Sequence, residues 1–133
     1  MDDQLLTGKR VLVVEDEMLV MMAIEDMCAD MGCTSVSSAA TVEQALAMID
    51  DGPFDLATLD VNLNGDRSYA VADALGAHGI PFAFSTGYGD HGVSCDYRHR
   101  PVLNKPYNSR QLTEVLSALL APLAVNPAAP SAT

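Results

Sequence analysis

Val11-Leu12-Val13-Val14-Glu15-Asp16-Glu17 sets a short apolar run against three consecutive acids, and the fold is read outward from that break. The four aliphatic residues read as a strand that ends on charge. Three further runs end in the same manner. Phe54 to Leu59 stops at Asp60, Phe82-Ala83-Phe84 at Ser85 and Thr86, and Val102-Leu103 at Asn104 and Lys105. In an open parallel sheet the carboxyl ends of the strands share one edge, where α/β proteins bind ligands. Carboxylates, a hydroxyl and an amine would therefore converge from distant parts of the chain. Such a set suits a group that accepts a phosphoryl unit beside a bound cation.

Helix signals fill the gaps between the runs. Val20, Ile24, Met27, Cys28 and Met31 recur at helical spacing, and Gly32 closes that segment. Thr34 to Ala39 reads as a short, polar strand suited to a sheet edge. Thr41 with Gln44 opens a second helix, the capping-box pattern, with Val42, Ala45, Leu46 and Ile49 facing inward. Asn62, Asn64, Gly65 and Asp66 read as a loop. Val71, Ala74, Leu75 and His78 mark a third helix, closed by Gly79. Pro81 begins the fourth strand and Pro101 the fifth. Asn108 with Gln111 caps the last helix, which faces inward with Leu112, Val115, Leu116 and Leu119. Between Gly87 and Arg100 the glycines suit a helix poorly, so a short or mobile fourth helix is expected. The reading is an α/β fold: a doubly wound, five-stranded parallel sheet of flavodoxin type, order 2-1-3-4-5, flanked by five helices. Residues 1–8 are expected to form an N-terminal extension, 9–121 the domain, and 122–133 a disordered tail rich in Ala and Pro.

Composition narrows the function. A chain of 133 residues that is 49% hydrophobic has room for one cored domain. Met18 to Ile24, its longest apolar stretch, is too short to cross a bilayer, and Met1 to Gln4 lacks the features of a secretory signal. Cys28, Cys33 and Cys95 form an odd set without paired spacing, which reads as reduced thiols in a cytoplasm. A formal charge of −11 opposes binding to nucleic acid through phosphates. Membrane partners are not expected either. His91, Cys95 and His99 stand at helical spacing, but with Gly92 among them and no fourth ligand they read as solvated side chains.

The first strand is not followed by a glycine-rich phosphate loop. Glu15, Asp16 and Glu17 stand there instead, and acids at a helix start also serve the helix dipole. Asp60 decides between these roles. Two carboxylates about 4 Å apart repel by roughly 4 kcal/mol at an effective dielectric near 20. Gathered acids therefore either raise a pKa or bind a hard cation. Oxygen-only ligands favour Mg2+, with Mn2+ or Ca2+ able to substitute.

Val13-Val14-Glu15-Asp16-Glu17, Leu59-Asp60-Val61-Asn62-Leu63, Ser85-Thr86-Gly87 and Lys105-Pro106 together resemble the response-regulator receiver domain of two-component signalling, from about Lys9 to Leu120. That resemblance implies Asp60 as phosphoacceptor. It implies a metal held by Asp16, Asp60 and the Asn62 carbonyl, with Glu15 acting through water. Thr86 would bond the phosphoryl group after transfer and Lys105 would pair with its charge. A cis Lys105-Pro106 bond is also implied. Pro81-Phe82-Ala83-Phe84-Ser85-Thr86-Gly87-Tyr88-Gly89 further resembles the signature of the "FAT GUY" receivers, typically single-domain regulators of alphaproteobacteria, with Ser85 in place of the usual Ala. Val102 stands where most receivers carry a switching aromatic ring, so that readout does not carry over.

The implied function is a stand-alone receiver that takes a phosphoryl group from a sensor histidine kinase or a histidine phosphotransfer protein. It would then act on a downstream protein by contact, or drain phosphoryl groups from a shared kinase. It would be no enzyme beyond its own phosphorylation and dephosphorylation. Tyr88 is expected to shield the acyl phosphate from water, and Gly87 to Arg100 to move or order most on phosphorylation. Met18 and Met22 lie off the core stripe and suit an adaptable docking surface for kinase helices. Two alternatives stand beside this reading. A small aspartyl-phosphate phosphatase or phosphotransferase would need a second acid two residues after Asp60, where Asn62 stands. An interaction module that is never phosphorylated would not need the site residues at all.

Overall fold

In the computed structural model, residues 5–63, 66–86, 101–105 and 107–120 are described. The strands are β1 (Arg10–Val14), β2 (Ser35–Ala39), β3 (Leu56–Asp60), β4 (Asn62–Leu63), β5 (Asp66–Arg67), β6 (Phe82–Thr86) and β7 (Val102–Asn104). The helices are α1 (Met18–Asp30), α2 (Val42–Asp51), α3 (Tyr69–Ala77) and α4 (Ser109–Leu120). Five parallel strands form the main sheet in the order β2-β1-β3-β6-β7. With the β4–β5 hairpin set aside, that is the expected 2-1-3-4-5. The fourth helix expected between 87 and 100, with Tyr88, His91, Cys95 and His99, lies outside the described residues. So do Pro106, hence the expected cis bond, and the tail after 120.

Strand alternation sorts the side chains onto two faces. Leu12, Val14, Ala57, Leu59, Phe82 and Phe84 meet Ala45 and Ile49 of α2 and Val71, Ala72 and Leu75 of α3. Val11, Val13, Leu56, Ala83 and Leu103 meet Ile24 and Cys28 of α1 and Leu112 and Leu116 of α4. β3 and β6 are buried along their full length, as central strands covered on both sides must be. Phe84 stacks edge-on against Phe82 at 5.3 Å and Tyr69 at 6.2 Å between ring centroids. Each such ring contributes roughly 1.5–3 kcal/mol through burial.

The caps follow the sequence signals. Thr41 Oγ1 accepts from the Gln44 N–H at 3.1 Å, and Gln44 Oε1 reaches back to the Ala40 N–H. Asn108 and Gln111 exchange two bonds of 2.9 Å, a complete capping box. α1 closes on Gly32 at φ +88°, with the Gly32 N–H on the Ala29 carbonyl and the Cys33 N–H on the Cys28 carbonyl. That pattern is the Schellman cap, for which glycine is preferred.

Two details differ from expectation, and a third was not foreseen. Asn62–Leu63 and Asp66–Arg67 pair antiparallel where a loop was expected. The dipeptide between them, Asn64-Gly65, is a favoured hairpin turn sequence. The third helix ends at Ala77, so His78, expected to mark the helix, is its C-cap instead, with its side chain 45% exposed. Leu6, within the expected extension, is fully buried against the α1/α4 face, and its N–H bonds the Met31 carbonyl. No described helix is long and apolar enough to cross a membrane.

Candidate functional site

Glu15, Asp60 and Ser85 lie side by side on the α1/α4 face, because the parallel register pairs Val14 with Leu59 and Asp60 with Ser85. Each strand end is held by its neighbour. The Glu15 N–H bonds the Ala39 carbonyl, the Val61 N–H bonds the Ser85 carbonyl, and the Lys105 N–H bonds the Thr86 carbonyl. Local backbone geometry thus fixes where each functional side chain begins.

The side chains then converge. Lys105 Nζ sits 2.8 Å from Asp60 Oδ2 and 2.8 Å from Glu15 Oε1. The other Asp60 oxygen, Oδ1, accepts from the Asn62 N–H at 3.1 Å, and Glu15 Oε2 accepts from the Glu17 N–H at 3.2 Å. One carboxylate oxygen from each of Glu15, Asp16 and Asp60 lies within 4.8 Å of the others. Glu15 and Asp60 are buried, and Asp16 is partly exposed.

Charge in so little space perturbs the groups. Burial pushes Glu15 up from 4.5 to about 7; Lys105 opposes this and the neighbouring Asp60 adds to it. Burial alone would lower Lys105, but its hydrogen bonds to Asp60 and Glu15 win and its pKa is raised. The ammonium therefore stays charged at any physiological pH. Oxygen-only donors gathered this closely fit a hard divalent cation such as Mg2+, and Asp16 supplies an open side.

A family match decides what the site belongs to: the model of the response regulator receiver domain matches residues 11–117. The chain belongs to the response regulator receiver family. Among solved structures, this receiver is similar to SdrG from Sphingomonas melonis Fr1. They share 45% identity over 88% of this chain and 98% of that one, with a TM-score of 0.79. The BeF3-activated conformation of SdrG from Pseudomonas melonis Fr1 is 43% identical over 91% of this chain and 100% of that one, TM-score 0.74. The receiver domain of Erythrobacter litoralis PhyR is 27% identical over 96% of this chain and 98% of that one, TM-score 0.75. No curated protein sequence matches the chain.

Of the expected site residues, Glu15, Asp16, Asp60 and Lys105 come together. Asn62 contributes its N–H to Asp60, while its side-chain Oδ1 is buried without a hydrogen-bond partner. Thr86 is buried at the end of β6, but its hydroxyl donates to Asn104 Oδ1 at 3.2 Å. It shares strand parity with Phe82 and Phe84 and so starts from the opposite face to Asp60.

Three further side chains take part: Asn104 was read only as a strand end, and Ser68 and Tyr107 were not singled out from the sequence. Ser68 Oγ bonds the carbonyls of Asp60, at 2.5 Å, and Val61, which anchors the backbone of the acceptor. Asn104 holds Thr86. Tyr107, two residues beyond Lys105, packs on the α1/α4 core. Spacing from Lys105 was the available signal for Tyr107; for Ser68 the sequence carries none.

Proposed function

We propose that this receiver accepts a phosphoryl group on Asp60 from a phosphohistidine of a sensor kinase or phosphotransfer protein, and signals in that form. The observation that carries the reading is the Asp60 carboxylate at the end of a central strand, 2.8 Å from the Lys105 ammonium and clustered with Glu15 and Asp16. The 43% identity to SdrG, described in a BeF3-activated conformation, supports it.

An Asp60 carboxylate oxygen attacks phosphorus in line. The new P–O bond forms as the P–N bond breaks, and the electron pair leaves on the donor imidazole. Such transfer depends on positioning and charge neutralisation more than on other covalent chemistry. Asn62 N–H and Lys105 orient the two acceptor oxygens. Glu15, Asp16, Asp60 and the Asn62 carbonyl would hold Mg2+, which supplies positive charge to offset the phosphoryl oxygens when bound. Lys105 then pairs with the transferred group, and Thr86 turns from Asn104 to donate to it.

Inverting a two-state population from 1:99 to 99:1 takes about 5.5 kcal/mol. Hydrogen bonds to charged groups contribute roughly 1.5–3 kcal/mol each. Thr86 and Lys105 together reach that range. For the donor, Met18 (72% exposed), Leu19 (82%) and Met22 (51%) form an apolar patch at the start of α1, which begins two residues after Asp16. We assign it to contact with the kinase or phosphotransfer helices, with residues 9–121 as the functional unit. The Phe82–Gly89 signature supports output by protein contact or by draining phosphoryl groups.

Incubation with Mg2+ and acetyl phosphate, followed by intact mass, tests the reading. One phosphoryl adduct, abolished by Asp60→Asn, is expected. Turnover without an adduct would point to a phosphatase, and neither adduct nor turnover to an interaction module.

A further inference from the structure

On the face of the sheet that carries Asp60, hydroxyl groups are buried without use. Among the described residues, Thr58 Oγ1, Ser85 Oγ and the Tyr107 hydroxyl are buried atoms with no hydrogen-bond partner. Buried polar groups normally are paired, and each exception calls for an explanation. Thr58 sits one step down β3 from Asp60 on the same face, flanked by Val13 and Ala83. Ser85 and Tyr107 differ from it, because both border the charged cluster.

Ser85 is the register partner of Asp60 on β6 and is 1% exposed. Tyr107, two residues after Lys105 and directly before Asn108, the residue that caps α4, packs on the same α1/α4 core. Burial pushes the phenol up to about 12, while the nearby Ser85 hydroxyl favours its ionised form; Glu15 and Lys105 are both close enough to act on it through charge. Tyr107 thus packs on the face that carries the ion cluster and stands next in sequence to the cap of α4. The Ser85 and Tyr107 hydroxyls are close enough to act on each other, yet neither has a partner in full hydrogen-bond geometry, so a slight shift or one bridging water would complete the bond. The trigger is at hand: Lys105, two residues away, is shared between Asp60 and Glu15 and must move when Asp60 carries a phosphoryl group.

We propose that Tyr107 and Ser85 form a hydroxyl couple that positions Lys105 and carries its displacement into α4. This rests on Asp60 being the phosphoacceptor. It also supplies a readout that Val102, a small side chain on the β7 edge, does not provide. Tyr107 is a positioning residue, since it acts through Lys105 and not on the phosphoryl group.

Tyr107→Phe removes the hydroxyl and keeps the ring, Ser85→Ala removes its partner, and the double variant removes both. The measurement is amide exchange of residues 109–120 in the full chain, before and after Mg2+ with BeF3−, beside BeF3− binding itself. In the wild type α4 exchange changes on binding. Each single variant still binds BeF3−, but its α4 change is smaller by about fivefold or more, a size typical of coupling between sites. The double variant is no worse than either single one, because both act on one contact. A full α4 response in Tyr107→Phe, or single effects that add in the double variant, overturns the couple while leaving the phosphoacceptor reading intact. A wild type that takes no BeF3−, or an Asp60→Asn variant that takes as much, overturns both.

Discussion

The two faces of the sheet are built from alternate residues of the same strands, yet they serve opposite ends. On the α2/α3 face Leu12, Val14, Leu59, Phe82 and Phe84 close an apolar core. The α1/α4 face starts in the same way with Val11, Val13, Leu56 and Ala83, then admits Glu15, Thr58, Asp60 and Ser85. One face holds the fold together. The other gives up part of that cohesion to keep charge and hydroxyls poised at the strand ends, the usual exchange of stability for function.

Breaking the apolar face is expected to have the largest effect. Phe84→Ala should cost about 3–5 kcal/mol in urea unfolding, because a fully buried ring with two aromatic neighbours is lost. The molecules that remain folded should still form the Asp60 adduct. Loss of the adduct in folded Phe84→Ala would erase the distinction between the faces.

An alkaline titration probes the other face away from the site. Burial first, then Cys33 and Glu25, raise the Cys28 thiol from 9.0 to about 12. Its folded pKa lies above the unfolded value, so the stability it contributes is complete below pH 9 and is lost as pH rises toward 12. Between about pH 8 and pH 10.5 the stability advantage of wild type over Cys28→Ala should shrink by about 2 kcal/mol. A constant difference would mean that the thiol ionises freely within the fold.

Within the site, Glu15→Gln removes a buried charge beside Asp60. We expect the metal-free protein to gain on the order of 1 kcal/mol in thermal or urea unfolding, and its affinity for Mg2+ to fall. A variant that loses stability and keeps its Mg2+ affinity would mark Glu15 as structural. The smallest effect is expected at Asn104. Asn104→Ala releases the Thr86 hydroxyl from a single neutral hydrogen bond, about 0.5–1.5 kcal/mol. Phosphorylation by acetyl phosphate should become up to about tenfold faster. An unchanged or slower rate would count against Asn104 as the holder of the resting position.

Sheet order and the core of the site were legible in the sequence because both depend on where apolar runs stop. Glu15, Asp60 and Lys105 needed only strand ends and a parallel sheet to meet. The β4–β5 hairpin escaped because strands of two residues are too short to display a period. His78 fell on the helical repeat of Val71 and Leu75, but α3 stops one residue earlier and leaves it in solvent. Leu6 has no apolar partner at helical or strand spacing, so its burial is a tertiary fact alone. Ser85 was read only as a strand end, and Tyr107 not at all, for a subtler reason. Their chemistry depends on which way each side chain turns, and Tyr107 lies beyond the last strand, where the alternation that orders the others no longer holds.

The strand β2 ends the sheet on one side with Ser35, Ser37 and Ser38 among its five residues, and Glu25 of α1 accepts a hydrogen bond from Ser38. An outer rung so rich in hydroxyls gives a foreign chain little greasy surface on which to zip up, which guards against edge-to-edge aggregation. Recognition on this flank must then come from side chains carried by helices rather than from backbone annealing, and a helical surface can be redrawn one substitution at a time without disturbing the ladder behind it.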